Sequence, residues 1–207
     1  MTQRMQELAN EIVRLQDELN RQIEARREAL GWRLEKGFVE FEQSVTIAHR
    51  RLRLGVAAFL AQSPILYVLT APAIYSLFVP LALIDAWASL YQAICFRVYR
   101  IPQVRRSRYV VIDRQKLAYL NWIETLNCVY CGYGNGVIAY AREIASRTEQ
   151  YWCPIKHAGK VVDPHQRYYE FLEFGDADGY RARLDQFRER LRLEAESDAP
   201  KPTPPNA

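Results

Sequence analysis

The sequence predicts an all-α protein built from a long N-terminal amphipathic or coiled-coil helix, a membrane helical hairpin and a C-terminal cytosolic helical domain. Three observations carry that prediction. Apolar residues recur three and four apart before and after one stretch of 42 residues that is almost free of charge, and no pair of strand-like runs is present to build a sheet. Five segments follow: an amphipathic helix over 1–54, a hairpin over 55–96, a basic juxtamembrane segment over 97–116, a helical domain over 117–196 and a Pro-rich disordered tail over 197–207.

From Met5 the apolar positions are Leu8, Ile12, Leu15, Leu19 and Ile23, set among Glu, Arg and Gln. This is a heptad seam, and it needs a partner: a second copy in a homo-oligomeric coiled coil, a partner helix, or the protein's own domain. After a stutter between Arg26 and Gly31 the spacing resumes at Leu34, Phe38, Phe41, Val45, Ala48 and Leu52, which predicts one long helix bent at Gly31 and reaching the apolar run. The first twenty residues hold no apolar stretch of the kind a secretory leader needs, so the four cysteines are expected to be reduced thiols in a cytosolic compartment.

Between Gly55 and Phe96 the only charged side chain is Asp85. A run of that length and composition predicts a membrane segment, either a minimal two-pass hairpin turning near Thr70 to Ala73 or a shallower re-entrant loop, since Pro64, Pro72 and Pro80 interrupt it. His49, Arg50, Arg51 and Arg53 precede the run and Arg97, Arg100, Arg105, Arg106 and Arg108 follow it. Positive charge on both flanks is expected to keep both flanks, and so both termini, in the cytoplasm, and the second cluster suits anionic lipid head groups. Nucleic acid is the other partner that basic residues interleaved with Tyr99 and Tyr109 suggest, but the position beside the apolar run favours lipid. An unpaired carboxylate at depth is costly, so Asp85 is expected to be protonated, paired or turned toward a partner helix.

Asp113 reads as the N-cap of a helix through Leu117, Leu120, Ile123 and Leu126 that leads to the chemistry-bearing stretch Asn127–His157. There Cys128 and Cys131 form a CxxC pair, and Cys153 and His157 form a CxxxH pair 21 residues further on. Two short knuckles of this kind supply four soft ligands to one tetrahedral ion, so a structural zinc site, with iron as the alternative metal, is one reading. A redox CxxC in an enzyme or electron-transfer module is the second, and buried cysteines that merely pack are the third. Gly132, Gly134 and Gly136 are expected to turn the chain between two helices, so that a helical hairpin frames the cysteines. Gly132 stands where c-type haem attachment requires His. Cys95 reads as core. Glu149 is the carboxylate best placed to face the cysteines, and Glu143 pairs with Arg147 at i,i+4. Downstream, HQRYYEFLEF predicts a short helix stopped at Gly175. Asp176 or Asp178 then caps a last helix with Tyr180, Leu184, Phe187 and Leu191 on one face.

The strings LNCVYCGYGNG and SRTEQYWCPIKHA, with VIDRQKLAYLN before them and FLEFGDADGYR after, resemble a family of uncharacterised proteobacterial membrane-associated proteins. The resemblance runs from the apolar segment to about Arg190. It implies a bacterial source and a membrane location, and it carries no catalytic residue. Function is therefore expected to be that of a membrane-anchored binding or assembly protein with a metal-pinned cytosolic domain, with a membrane-bound redox or metal-dependent enzyme as the alternative.

Overall fold

The computed structural model describes residues 3–29, 32–35, 38–41 and 43–197, and the expected tail at 197–207 lies outside them except for Ser197, the last residue of the final helix. The architecture is helical apart from one small hairpin. Helix α1 spans Gln3–Ala29, β1 (Trp32–Glu35) and β2 (Phe38–Phe41) pair antiparallel, and α2 (Gln43–Arg51), α3 (Val56–Gln62), α4 (Ile65–Ser76) and α5 (Phe78–Tyr91) follow. A turn of π-helix at Gln92–Phe96 and the short α6 (Arg97–Tyr99) continue α5, then come α7 (Trp122–Trp152) and α8 (Ala177–Ser197).

Three expectations about where elements begin and end need correction. The N-terminal helix does not continue through residues 32–41, because a two-stranded ribbon replaces it there. Its register sets Trp32 opposite Phe41, Arg33 opposite Glu40 and Leu34 opposite Val39. Glu35 stands opposite Phe38, and aromatic and β-branched residues, frequent here, favour strand over helix. The apolar run does not turn at Thr70–Ala73 either. A single helical run extends from Ile65 to Tyr99, with Pro72 accommodated inside α4, and the break falls earlier, between Gln62 and Ile65 at Ser63–Pro64, where Pro lacks the N–H and disfavours helix in the residue before it. Lastly, α7 does not start at Asp113. Arg114–Lys116 is a single 3₁₀ turn, and α7 begins after Asn121, whose Oδ1 accepts the N–H groups of Ile123 and Glu124 while the Glu124 carboxylate accepts the Asn121 N–H. That reciprocal capping box fixes the start more firmly than a distant Asp.

The chain divides into two compact units. One comprises Met1–Tyr75 with Ile112–Gly132, and the other Ser76–Val111 with Tyr133–Ala207. In the first, Tyr75 donates a hydrogen bond to Asn127, Tyr130 donates one to the Ile74 carbonyl at 2.6 Å, and the His49 ring meets the edge of Tyr119. The second unit has its core around Phe96, Ile101, Val104, Tyr140 and Ile144, with a smaller cluster of Phe171, Leu172 and Phe187. In this unit α5 and α7 run parallel, as the rising pairs Phe78–Tyr133, Ser89–Tyr140 and Tyr91–Thr148 show.

Helix α7 is continuous through its three glycines, and the physical reason is close approach rather than a turn. A Cβ on Gly136 would stand 2.7 Å from the Tyr109 carbonyl oxygen and 2.8 Å from the Val110 Cα. Glycine disfavours helix by about 1 kcal/mol relative to Ala, and the tight packing of the 109–110 backbone on α7 offsets that cost. At the far end, Asp176 caps α8, its Oδ1 accepting the Gly179 N–H at 2.8 Å, after Gly175 at φ 90°. Phe187 and Leu191 are buried, so the predicted inner face of this helix is the one observed.

Candidate functional site

Two features of the sequence called for a site, the cysteines and the apolar run. Cys128 and Cys131 lie in the first third of α7, and Cys153 follows its last residue. Helix α7 runs from Trp122 to Trp152 without a turn, so the expected helical hairpin is absent from it. Among the described residues no group of three or more His, Cys, Asp and Glu side chains is disposed to hold a metal ion. The Pro154–His157 segment is held elsewhere: Leu172 donates its N–H to the Pro154 carbonyl at 2.9 Å and Lys156 donates to the Leu172 carbonyl at 2.7 Å. His157 donates its backbone N–H to the Tyr168 hydroxyl, and its ring stacks on that tyrosine.

Glu149 lies near Cys153. Its carboxylate meets His165 Nε2 at 2.8 Å, and His165 Nδ1 accepts the Tyr168 N–H, which assigns the ring hydrogen to Nε2 and makes His165 the donor to Glu149. Burial pushes the Cys153 thiol up, and the nearby Glu149 carboxylate adds to the shift. An activated thiolate requires the opposite environment, a nearby cation or helix N-terminus. Cys95 is half-buried and all four cysteines are free thiols. Sequence reasoning missed His165, which lies just before the 3₁₀ turn Gln166–Glu170, outside any periodic segment.

The apolar run gives the clearest physical signal. Its helix, Ile65–Tyr99, is 35 residues long, with a mean hydropathy of 1.9 over its most apolar window and none of that window buried. In water such a surface is unfavourable by about 25 cal/mol for each Å² exposed. The Thr70 hydroxyl within it is satisfied locally on the Tyr67 carbonyl, and the Ser63 hydroxyl just before it on the Phe59 carbonyl, as polar side chains in lipid are.

Asp85 is paired, as expected of a lone carboxylate in an apolar helix. Arg106 meets it two-pronged, Nε to Oδ1 at 2.8 Å and Nη2 to Oδ2 at 2.6 Å, and the Tyr133 hydroxyl donates to Oδ2 at 3.0 Å. This removes Arg106 from the predicted lipid-facing cluster. Two turns along, Gln92 binds both backbone groups of Val104, accepting its N–H at 2.9 Å and donating to its carbonyl at 3.2 Å. Asp85 and Gln92 thus clamp the segment Ile101–Val110 along the inner face of the helix. Arg97, Arg100 and Arg105 are exposed, and no ion pair occupies them among the described residues. Beyond them, Tyr99, Tyr151 and Trp152 form an aromatic trio with centroids 5.1 to 5.5 Å apart.

No family model matches the chain, and no curated protein or solved structure matches it.

Proposed function

We propose that the protein is a membrane-associated binding or assembly subunit, held at a bacterial inner membrane by the Ile65–Tyr99 helix with both termini in the cytoplasm. The observation that carries this reading is the long apolar helix with no part of its apolar window buried. The exposed Arg97, Arg100, Arg105 and Arg108 contact anionic head groups, each worth about 1 kcal/mol near such a surface, and Tyr99 and Trp152 suit the boundary between head groups and water. The second arm is α1, whose seam residues Leu8, Ile12, Leu15, Leu19 and Ile23 are 40 to 60 % exposed. With Ile12 and Leu15 at adjacent a and d positions, the seam suits a two-stranded coiled coil, which in this proposal a second copy of the chain completes.

Cell fractionation tests the anchor. The protein is expected in the membrane pellet after an alkaline carbonate wash and in solution after detergent, and Leu66→Arg with Leu83→Arg is expected to release it or abolish its accumulation. Both side chains are about two-thirds exposed, so the fold tolerates the change, whereas each Arg at depth costs about 2.5–3.5 kcal/mol on the insertion scale. Wild-type protein recovered wholly in the soluble fraction would overturn the proposal.

A further inference from the structure

The second unit turns its helix inside out. On the Phe78–Tyr99 run, the inner face presents Asp85, Ser89 and Gln92 to the protein with Phe96, while the opposite face presents Val79, Leu83, Trp87, Leu90, Ile94 and Val98, all 50 to 74 % exposed. These six are spaced 4, 4, 3, 4 and 4 apart, so they form one ridge along the helix, about 28 Å long at 1.5 Å per residue. A soluble helix has the reverse polarity.

The inner face also restricts how this ridge meets lipid. Were the run to cross the bilayer, Asp85 would lie some 20 Å along the helix from Val98, and the segment clamped beside it would lie at the same depth. That segment is irregular backbone, Ile101–Arg105 followed by the turn Arg106–Arg108, and the Arg106 side chain is 45 % exposed. Irregular backbone and a half-exposed guanidinium are not tolerated against hydrocarbon.

We infer that the helix Phe78–Tyr99 lies in the plane of the membrane surface, the ridge Val79–Val98 sunk into the boundary between acyl chains and head groups and the inner face turned to the cytosolic unit. The inference rests on the membrane reading above and replaces a span or hairpin, over these residues, with a helix lying on the bilayer. Amphipathic helices of this kind sink about 5–10 Å. Arg97, at the edge of the ridge, extends its stem along the apolar surface and its guanidinium to phosphate, as long basic side chains do.

Depth-dependent fluorescence quenching tests it. Trp87 is a native reporter on the ridge, and with Trp32, Trp122 and Trp152 changed to Phe it is the sole tryptophan of the full chain. In that background Trp87→Phe is combined with Val79→Trp, Leu83→Trp, Ile94→Trp or Val98→Trp, and each protein is reconstituted into phosphatidylglycerol-containing vesicles whose lipids carry bromine near the head group, at mid-chain or at the chain end. The in-plane helix predicts strongest quenching by the shallow bromine at all five positions, with depths within about 5 Å of one another. A crossing helix predicts depths spread over up to about 28 Å, which overturns the inference and leaves the anchor reading intact. Absence of quenching in protein that still pellets with vesicles also overturns it, a second protein then covering the ridge. Absence of quenching with no pelleting refutes the anchor reading itself.

Discussion

Glu143→Gln is the substitution that asks most of the second unit. The Glu143 carboxylate is four-fifths buried on α7, and its Oε1 accepts from Arg147 Nε at 2.7 Å and from Arg167 Nη2 at 3.0 Å. Arg147 also donates to the Pro102 carbonyl, and Arg167 donates to Gln150 and, at 2.7 Å, to Glu194. Gln150 in turn donates to the Phe187 carbonyl on α8. One carboxylate therefore ties α7, the segment after α6, the 3₁₀ turn Gln166–Glu170 and α8. Hydrogen bonds to charged groups contribute about 1.5–3 kcal/mol each, and removing one partner of a buried pair costs about 3–5 kcal/mol. Gln keeps one acceptor oxygen, which sets the expectation near the lower end, about 3 kcal/mol. For a chain of this size that lowers the melting temperature by about 6–12 °C. Thermal unfolding in detergent, followed by tryptophan fluorescence, measures it. The control is Glu170→Gln, whose partner Arg190 is more than half exposed and whose loss should be near zero. Equal small shifts for both variants would refute the argument.

The same carboxylate fixes a pH dependence. Burial alone would raise its pKa, but the hydrogen bond from Arg147, the charge of Arg167 and their companions outweigh burial and hold it below the ordinary value. A depressed carboxylate contributes stability that is fully present above the unfolded pKa of about 4.3 and lost as pH falls through the folded value. The stability difference between wild type and Glu143→Gln is therefore expected to be constant near neutrality and to narrow below about pH 4. A difference that widens on acidification contradicts the assignment.

Three further outcomes are expected. Gly136→Ala should destabilise by about 1–3 kcal/mol, because its Cβ meets the Tyr109–Val110 backbone below 3.0 Å, whereas Gly134→Ala should be neutral or stabilising by up to about 1 kcal/mol, since only the flexible Leu81 side chain is near, at 3.2 Å; equal losses in denaturation would contradict the close-approach account. In protein with Cys95, Cys128 and Cys131 changed to Ser, Cys153 should alkylate slowly at pH 7 and faster once Glu149→Gln removes the neighbouring charge, and rapid alkylation at neutral pH would show the thiol to be activated. Leu15→Asp with Leu19→Asp should dissociate the oligomer in detergent without releasing it from membranes, and an unchanged mass would show that α1 pairs by another surface.

The helical class, the helix α1, the Glu143–Arg147 pair and the inner face of α8 were legible because each is a matter of residues three and four apart on one element. What was not legible depended on contacts distant in sequence. Three glycines in five residues read as a turn, yet α7 passes through them because the 109–110 backbone lies against Gly136. CxxC and CxxxH read as two knuckles of one site only on the assumption of that turn, and without it they stand at the two ends of a helix. Residues 32–41 fit a helical spacing at Leu34, Phe38 and Phe41, but the same residues pair in ribbon register once the chain reverses. In each instance a local pattern admitted two structures and a tertiary contact selected one.

The apolar run held a signal that composition alone concealed. Averaged over 42 residues it reads as a span, and Asp85 stands out as an expensive exception. Taken with Ser89 and Gln92, at i+4 and i+7, Asp85 is instead the first member of a polar stripe on one face of a helix. Each member of that stripe finds a partner inside the second unit: Arg106 and Tyr133 for Asp85, Tyr140 for Ser89, and Val104 and Tyr140 for Gln92. A stripe of satisfied polar groups marks where protein contacts the helix, and the apolar face opposite is the one we propose for lipid. Those three residues face α7 through Tyr133 and Tyr140 and, beside it, the irregular segment Ile101–Val110 with its half-exposed Arg106; under the in-plane inference that segment stays at the surface, whereas a crossing helix would carry it into hydrocarbon, where irregular backbone is not tolerated.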